Sequence, residues 1–128
     1  MAMVALTDLE ALVSLVTRDH PGVPTLLLIH SDQCPPCKAL HPKLVALAGI
    51  TQGCEFYEFN VDTCGDDQQL DDELTLLFQE WDVKYLPTQI LLAPGQERKV
   101  IFTTNLDTIQ HELASLKYAS EETSRQNS

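Results

Sequence analysis

At 128 residues, with 44% hydrophobic and 21% charged side chains, the chain has the size and composition of one globular domain with a real core. Its net charge of −11, from 19 acidic and 8 basic side chains, argues against a nucleic-acid partner, because phosphate binding rests on Lys and Arg. Apolar runs such as Leu26 to Ile29 are strand-sized and none approaches a membrane span, so no membrane partner is expected, and the acidic surface suits a soluble monomer.

Thr7 and Glu10 form a capping box ahead of Leu9, Leu12, Val13 and Val16, which predicts an amphipathic helix over residues 8–18 with Thr7 as N-cap. His20-Pro21-Gly22 is expected to stop it. Val23 to His30 is an apolar run too short for a helix, which suits a strand buried on both faces, as in a parallel sheet. After "IHSDQCPPCKALHP", Leu40, Leu44 and Leu47 lie on one helical stripe that ends at Gly49, and Pro42 is expected to interrupt and kink that helix. Tyr57, Phe59 and Val61 alternate with Glu58 and Asn60, the periodicity of a strand.

The acidic stretch Asp66 to Glu73 reads as a solvated loop or frayed helix start. Leu74, Leu77, Phe78 and Trp81 then recur at helical spacing. "PTQILLAPGQERKVIFTT" predicts a hairpin turning at Pro94-Gly95, and Asn105 is expected to cap a last helix that buries Leu106, Ile109, Leu113 and Leu116. "SEETSRQNS" lacks periodicity, so we expect a domain over residues 1–118 and a flexible tail over 119–128. This order of helices and strands predicts a three-layer α/β/α fold around a central mixed sheet of four to five strands.

Of the four cysteines, Cys34 and Cys37 stand two residues apart at a strand-to-helix junction. A first sulfur beside the free N–H groups of a helix start favours the thiolate, and the second lies one turn on, within disulfide reach. Cys34 is therefore the expected nucleophile and Cys37 the resolving thiol. Pro35 and Pro36 lack donors that the first turn leaves unpaired, and they stiffen the loop. If residues 54–64 form a strand, Cys54 and Cys64 are separated by about 30 Å, beyond the reach of about 7 Å that a disulfide allows. Cys54 is expected to be a core thiol and Cys64 an inert one.

Taken together, "CPPCK" after a buried strand, Pro42, "NVDTC", "VKYLPTQILL" and the closing hairpin and helix resemble the thioredoxin superfamily over residues 4–118. The CPPC loop is similar to that of tryparedoxins. The resemblance implies a cis bond at Pro87, facing the cysteines, with Leu86 and Pro87 forming the substrate groove. It implies thiol–disulfide exchange with protein substrates, through a redox-active disulfide rather than a bound cofactor or metal, with electrons from an upstream reductase or dithiol.

Two departures bear on activity. Gln33 stands where thioredoxins place a Trp, and Leu28 occupies the register of their buried Asp, so the activity is expected to be weakened. His30 shares a strand face with Leu28 and lies four residues before Cys34, which makes it a candidate to take up a proton or steady a thiolate. Gln33, Pro35, Pro36 and Lys38 are further candidates for tuning the pair. His41, one turn after Cys37, is expected on an exposed face without a role.

Two alternatives remain open at this level. One is a redox-switched binding or chaperone-like module with weak reductase activity. The other is metal or iron–sulfur binding through the CPPC pair, with His41 as a third ligand and a dimer supplying the rest. "MAMVALTDLE" is acidic where a leader is basic, so a cytoplasmic location is expected, or a reducing organelle matrix if a leader has been removed.

Overall fold

The computed structural model describes residues 2–17 and 22–126, with residues 117–126 as helical backbone. The chain builds, in order, β1 (Val4–Leu6), α1 (Leu9–Val16), β2 (Thr25–His30), α2 (Pro35–Ile50) and β3 (Glu55–Asn60). It continues with a 3-10 turn (Val61–Cys64), α3 (Gln68–Glu80), β4 (Thr88–Leu92), β5 (Lys99–Ile101) and α4 (Leu106–Gln126). The five strands lie in the order β1-β3-β2-β4-β5. β2 runs parallel to β3 and antiparallel to β4, so the sheet is mixed, as expected.

Every residue of β2 is buried, because it has a strand on each side and helices above and below. Its alternation sorts the core into two layers. Leu26 and Leu28 join Leu40, Leu44, Phe56, Ile109 and Leu113 on the α2/α4 side. Leu27 and Ile29 join Leu12, Phe59, Leu74, Trp81 and Ile90 on the α1/α3 side.

Local details depart from the sequence reading in four places. The N-cap of α1 is Asp8, whose Oδ1 accepts the Ala11 N–H at 2.8 Å, rather than Thr7. A carboxylate three residues before that donor reaches it directly, and it also suits the positive helix end. β1 has no counterpart in the sequence pattern, because a three-residue, mostly exposed edge strand carries too little periodicity to signal itself. α2 runs unbroken past Pro42; that exposed ring removes one hydrogen bond on the outer face while Leu40, Leu44 and Leu47 hold the inner one.

Of the two readings of the acidic stretch, the helix start is the one formed: it is helical from Gln68, because Asp67 accepts the N–H groups of Gln69 (3.0 Å) and Leu70 (3.2 Å). Finally, α4 continues to Gln126 through residues expected in the tail. A helix already nucleated by Ile109, Leu113 and Leu116 propagates readily through Glu, Arg and Gln. Asn127, Ser128, and the His20 and Pro21 of the expected α1 stop lie outside the described residues.

The hairpin turns as read. Gln96 N–H donates to the Ala93 carbonyl at 3.2 Å, and Gly95 takes φ +70°, which a glycine adopts without steric cost. Removing Phe56, which is 1% exposed, should cost about 3–5 kcal/mol in the Phe56→Ala variant. Val45→Ala, on the outer face of α2, should cost about 0.5 kcal/mol or less. Urea denaturation midpoints at unchanged slope check both.

Candidate active site

The segment between β2 and α2 is held from the side by a single carboxylate. Asp62, in the turn after β3, accepts from Ser31 Oγ at 3.0 Å and from the Asp32 N–H at 2.7 Å. Ser31 Oγ in turn accepts the Gln33 N–H at 3.0 Å. Asp62 is itself placed by Asn60, whose Oδ1 accepts the Asp62 N–H at 2.9 Å. Asp62 belongs to "NVDTC", but no local spacing marks it for the site, since none shows that the ends of β3 and β2 lie side by side.

This clamp delivers Cys34 to the N-cap of α2. The donors of that first turn can be counted completely. The Cys34 N–H goes to the Ser31 carbonyl at 3.3 Å, Pro35 and Pro36 have none, and the Cys37 N–H points at Cys34 Sγ at 3.3 Å. The one remaining orphan donor of a 16-residue helix therefore lands on the first sulfur. Cys34 is half-buried, Cys37 is buried, and the two are joined as a disulfide with Cα atoms 5.2 Å apart. Gln33, Pro35, Pro36 and Lys38 are all exposed around it.

Across from the cysteines lies the loop into β4. The Leu86–Pro87 bond is cis, and the Leu86 carbonyl oxygen is 3.7 Å from Cys34 Sγ. Thr88 Oγ1 donates to the Tyr85 carbonyl and ties the loop across its turn. Beside Leu86 opens a cleft of about 270 Å³ lined by Val61, Asp71, Phe78, Val83, Tyr85 and Leu86. Tyr85 is largely exposed and packs edge-on against Phe102, with ring centres 5.5 Å apart. An aromatic surface thus flanks the site from this loop, while Gln33 supplies none.

Leu28 is fully buried in the α2/α4 layer, as the register implied. The carboxylate on that face comes from the neighbouring strand: Glu58 is the β3 partner of Leu28. His30 is 7% exposed, and its Nε2 lies 3.1 Å from Glu58 Oε1. Sulfur-side contacts of Cys34 are made instead by Cys37 N–H and the Leu86 carbonyl. His41 is half-buried rather than exposed, and its Nε2 also stands 3.1 Å from Glu58 Oε1. Strand alternation had set Glu58 apart from the apolar face, but covering both faces of the sheet brings its side chain under α2.

No protein-family model matches the chain, and no curated protein matches it in sequence. Solved structures do match. Thioredoxin NaTrxh from Nicotiana alata superposes with a TM-score of 0.71 at 19% identity, over 90% of this chain and 92% of that one. Fasciola hepatica thioredoxin gives 0.69 at 22% identity, over 90% and 100%. Thioredoxin O1 from Arabidopsis thaliana in its oxidized state gives 0.70 at 14% identity, over 91% and 99%. The fold is thioredoxin-like, with a CxxC disulfide at the start of α2.

The other two cysteines lie in opposite layers of the core, Cys54 toward α2 and α4, Cys64 toward α1 and α3. Burial pushes the Cys64 thiol above its ordinary range, and the charges of Asp71 and Asp67 push it further. At a given pH less of it is thiolate, so alkylation at Cys64 should be slower than at an ordinary cysteine and accelerate only at higher pH. Asp71→Asn removes one of those charges and should move that acceleration to lower pH. Residue-resolved mass spectrometry of iodoacetamide labelling at a series of pH values follows both effects.

Proposed function

We propose that this thioredoxin-fold chain is a thiol–disulfide oxidoreductase that acts on disulfides of protein substrates, with Cys34 as nucleophile and Cys37 as resolving thiol. The observation that carries the reading is the Cys37 N–H aimed at Cys34 Sγ from a helix start that has no other free donor. Hydrogen bonding and the positive helix end both stabilise negative charge on that sulfur, and the thiolate is the nucleophilic form.

In the reduced protein the Cys34 thiolate attacks one sulfur of a substrate disulfide. A Cys34–substrate disulfide forms and the other substrate sulfur leaves as a thiolate, which takes a proton from solvent. Cys37 then loses its proton to solvent and attacks Cys34 Sγ. The Cys34–Cys37 disulfide forms, the second substrate thiolate departs, and two electrons have passed to the substrate. A dithiol or reductase restores the pair by the same exchange in reverse.

Leu86 and Pro87 form the wall on which the substrate strand would lie, the Leu86 carbonyl standing 3.7 Å from Cys34 Sγ. An apolar substrate side chain next to the reacting sulfur fits the cleft beside Leu86. Gln33 offers no apolar surface on the opposite side, so this cleft and Tyr85 carry the recognition.

Reduction of insulin disulfides by dithiothreitol tests the proposal. Wild type should hasten precipitation, whereas Cys34→Ser should fall to the rate of dithiothreitol alone. Cys37→Ser should accumulate a covalent adduct with the substrate that excess reductant releases. A wild-type rate equal to that of Cys34→Ser would overturn it.

A further inference from the structure

Three side chains from three different elements converge beneath α2, apart from the contacts made to the Cys34 sulfur: His30 at the end of β2, His41 in the second turn of α2, and Glu58 in β3. We propose that they form a binding site for a divalent transition-metal ion of the zinc class, with a fourth coordination position open to water.

The donor set is the first argument. Two imidazoles and one carboxylate are nitrogen and oxygen ligands that suit zinc and its neighbours, and three protein ligands leave one position free. Geometry is the second. Both Nε2 atoms lie 3.1 Å from Glu58 Oε1, and the ligating atoms all fall within 4.8 Å of one another. Around a tetrahedral ion with bonds near 2.0–2.1 Å, neighbouring ligand atoms stand about 3.3 Å apart. Two edges of such a tetrahedron are therefore nearly in place, and only the separation of the two rings, with centres 5.0 Å apart, has to adjust.

Electrostatics and access agree. Among the described residues, Glu58 has no partner other than the two imidazoles, so no Lys or Arg neutralises its carboxylate. Side-chain exposure rises from 9% at His30 through 18% at Glu58 to 34% at His41, which gives an ion a path in along the His41 side. The ligands ride on two adjacent strands and a packed helix, so little ordering is left for the ion to impose. Each imidazole would ligate as its Nδ1–H tautomer, turning the Nε2 lone pair toward the ion. The net charge of −11 raises the local concentration of cations around the whole chain.

The test uses the untagged, oxidised chain without reductant, in which Cys34 and Cys37 are closed as a disulfide and cannot bind metal. Its outcome is therefore independent of the exchange reaction. Cobalt titration followed by visible absorbance, and zinc titration by calorimetry, should show one saturable site per chain. Glu58→Gln and His41→Gln should each weaken binding by more than about tenfold, since even outer-shell changes at metal sites cost roughly 10–100-fold. His111→Gln, on the exposed face of α4, should bind as wild type does. Nitrogen resonances of the wild-type imidazoles provide a readout that needs no variant. Zinc should shift those of His30 and His41 and leave His111 in place. No saturable binding, binding that survives in either cluster variant, or a resonance shift that spares His30 and His41 would overturn the proposal and leave a hydrogen-bonded trio.

Discussion

The start of α2 is the constraint from which the candidate active site follows. A helix begins with N–H groups that have no partner within it, and something must accept them. Here the sequence removes two donors with Pro35 and Pro36, sends the Cys34 N–H back to Ser31, and leaves the Cys37 N–H to the Cys34 sulfur. One residue is thus both the helix cap and one half of the disulfide. The helix, in turn, is fixed by Leu40, Leu44 and Leu47 packing on the sheet, so the position of the sulfur inherits the rigidity of the core.

A capped helix would be of little use without a surface to present the sulfur to. The Asp62 clamp fixes the three residues before Cys34 to the end of β3, and the loop before β4 places the Leu86 carbonyl against Cys34 Sγ. These contacts join β2, β3 and β4, the three central strands of the sheet. Central strands are covered on both edges and both faces, and the sulfur lies where their ends meet. The cleft beside Leu86 extends this arrangement toward α3, whose Phe78 and Asp71 share its wall.

Much of this was legible in the chain. The CxxC at the end of a buried apolar run, the Pro94-Gly95 turn and the helical spacing of Leu40, Leu44 and Leu47 are local signals, each with a direct physical reading. Other features were legible only in part. Thr7 and Asp8 are adjacent cap-forming residues, and spacing alone does not choose between them; the Ala11 N–H does, by lying within reach of Asp8. The acidic stretch after Cys64 reads equally as loop or helix until Asp67 is seen to cap it.

By itself the sequence determined where the disulfide can close and which donors the start of α2 lacks, because the placing of a cysteine pair and the donor deficit of two prolines follow from residue type and spacing. It also determined the core, through apolar periods that only buried strands and amphipathic helices satisfy. Tertiary structure alone decided what stands beside the pair. Leu28 marks the absence of a carboxylate within β2, and the only substitute the sequence nearby indicates is His30, an imidazole. Glu58 arrives from thirty residues further on because β3 pairs in parallel with β2 and places it next to Leu28. A residue on the face opposite Tyr57 and Phe59 then becomes half-buried under α2, held between two histidines. Register between strands and the covering of a sheet's second face are long-range facts, and no local spacing encodes them.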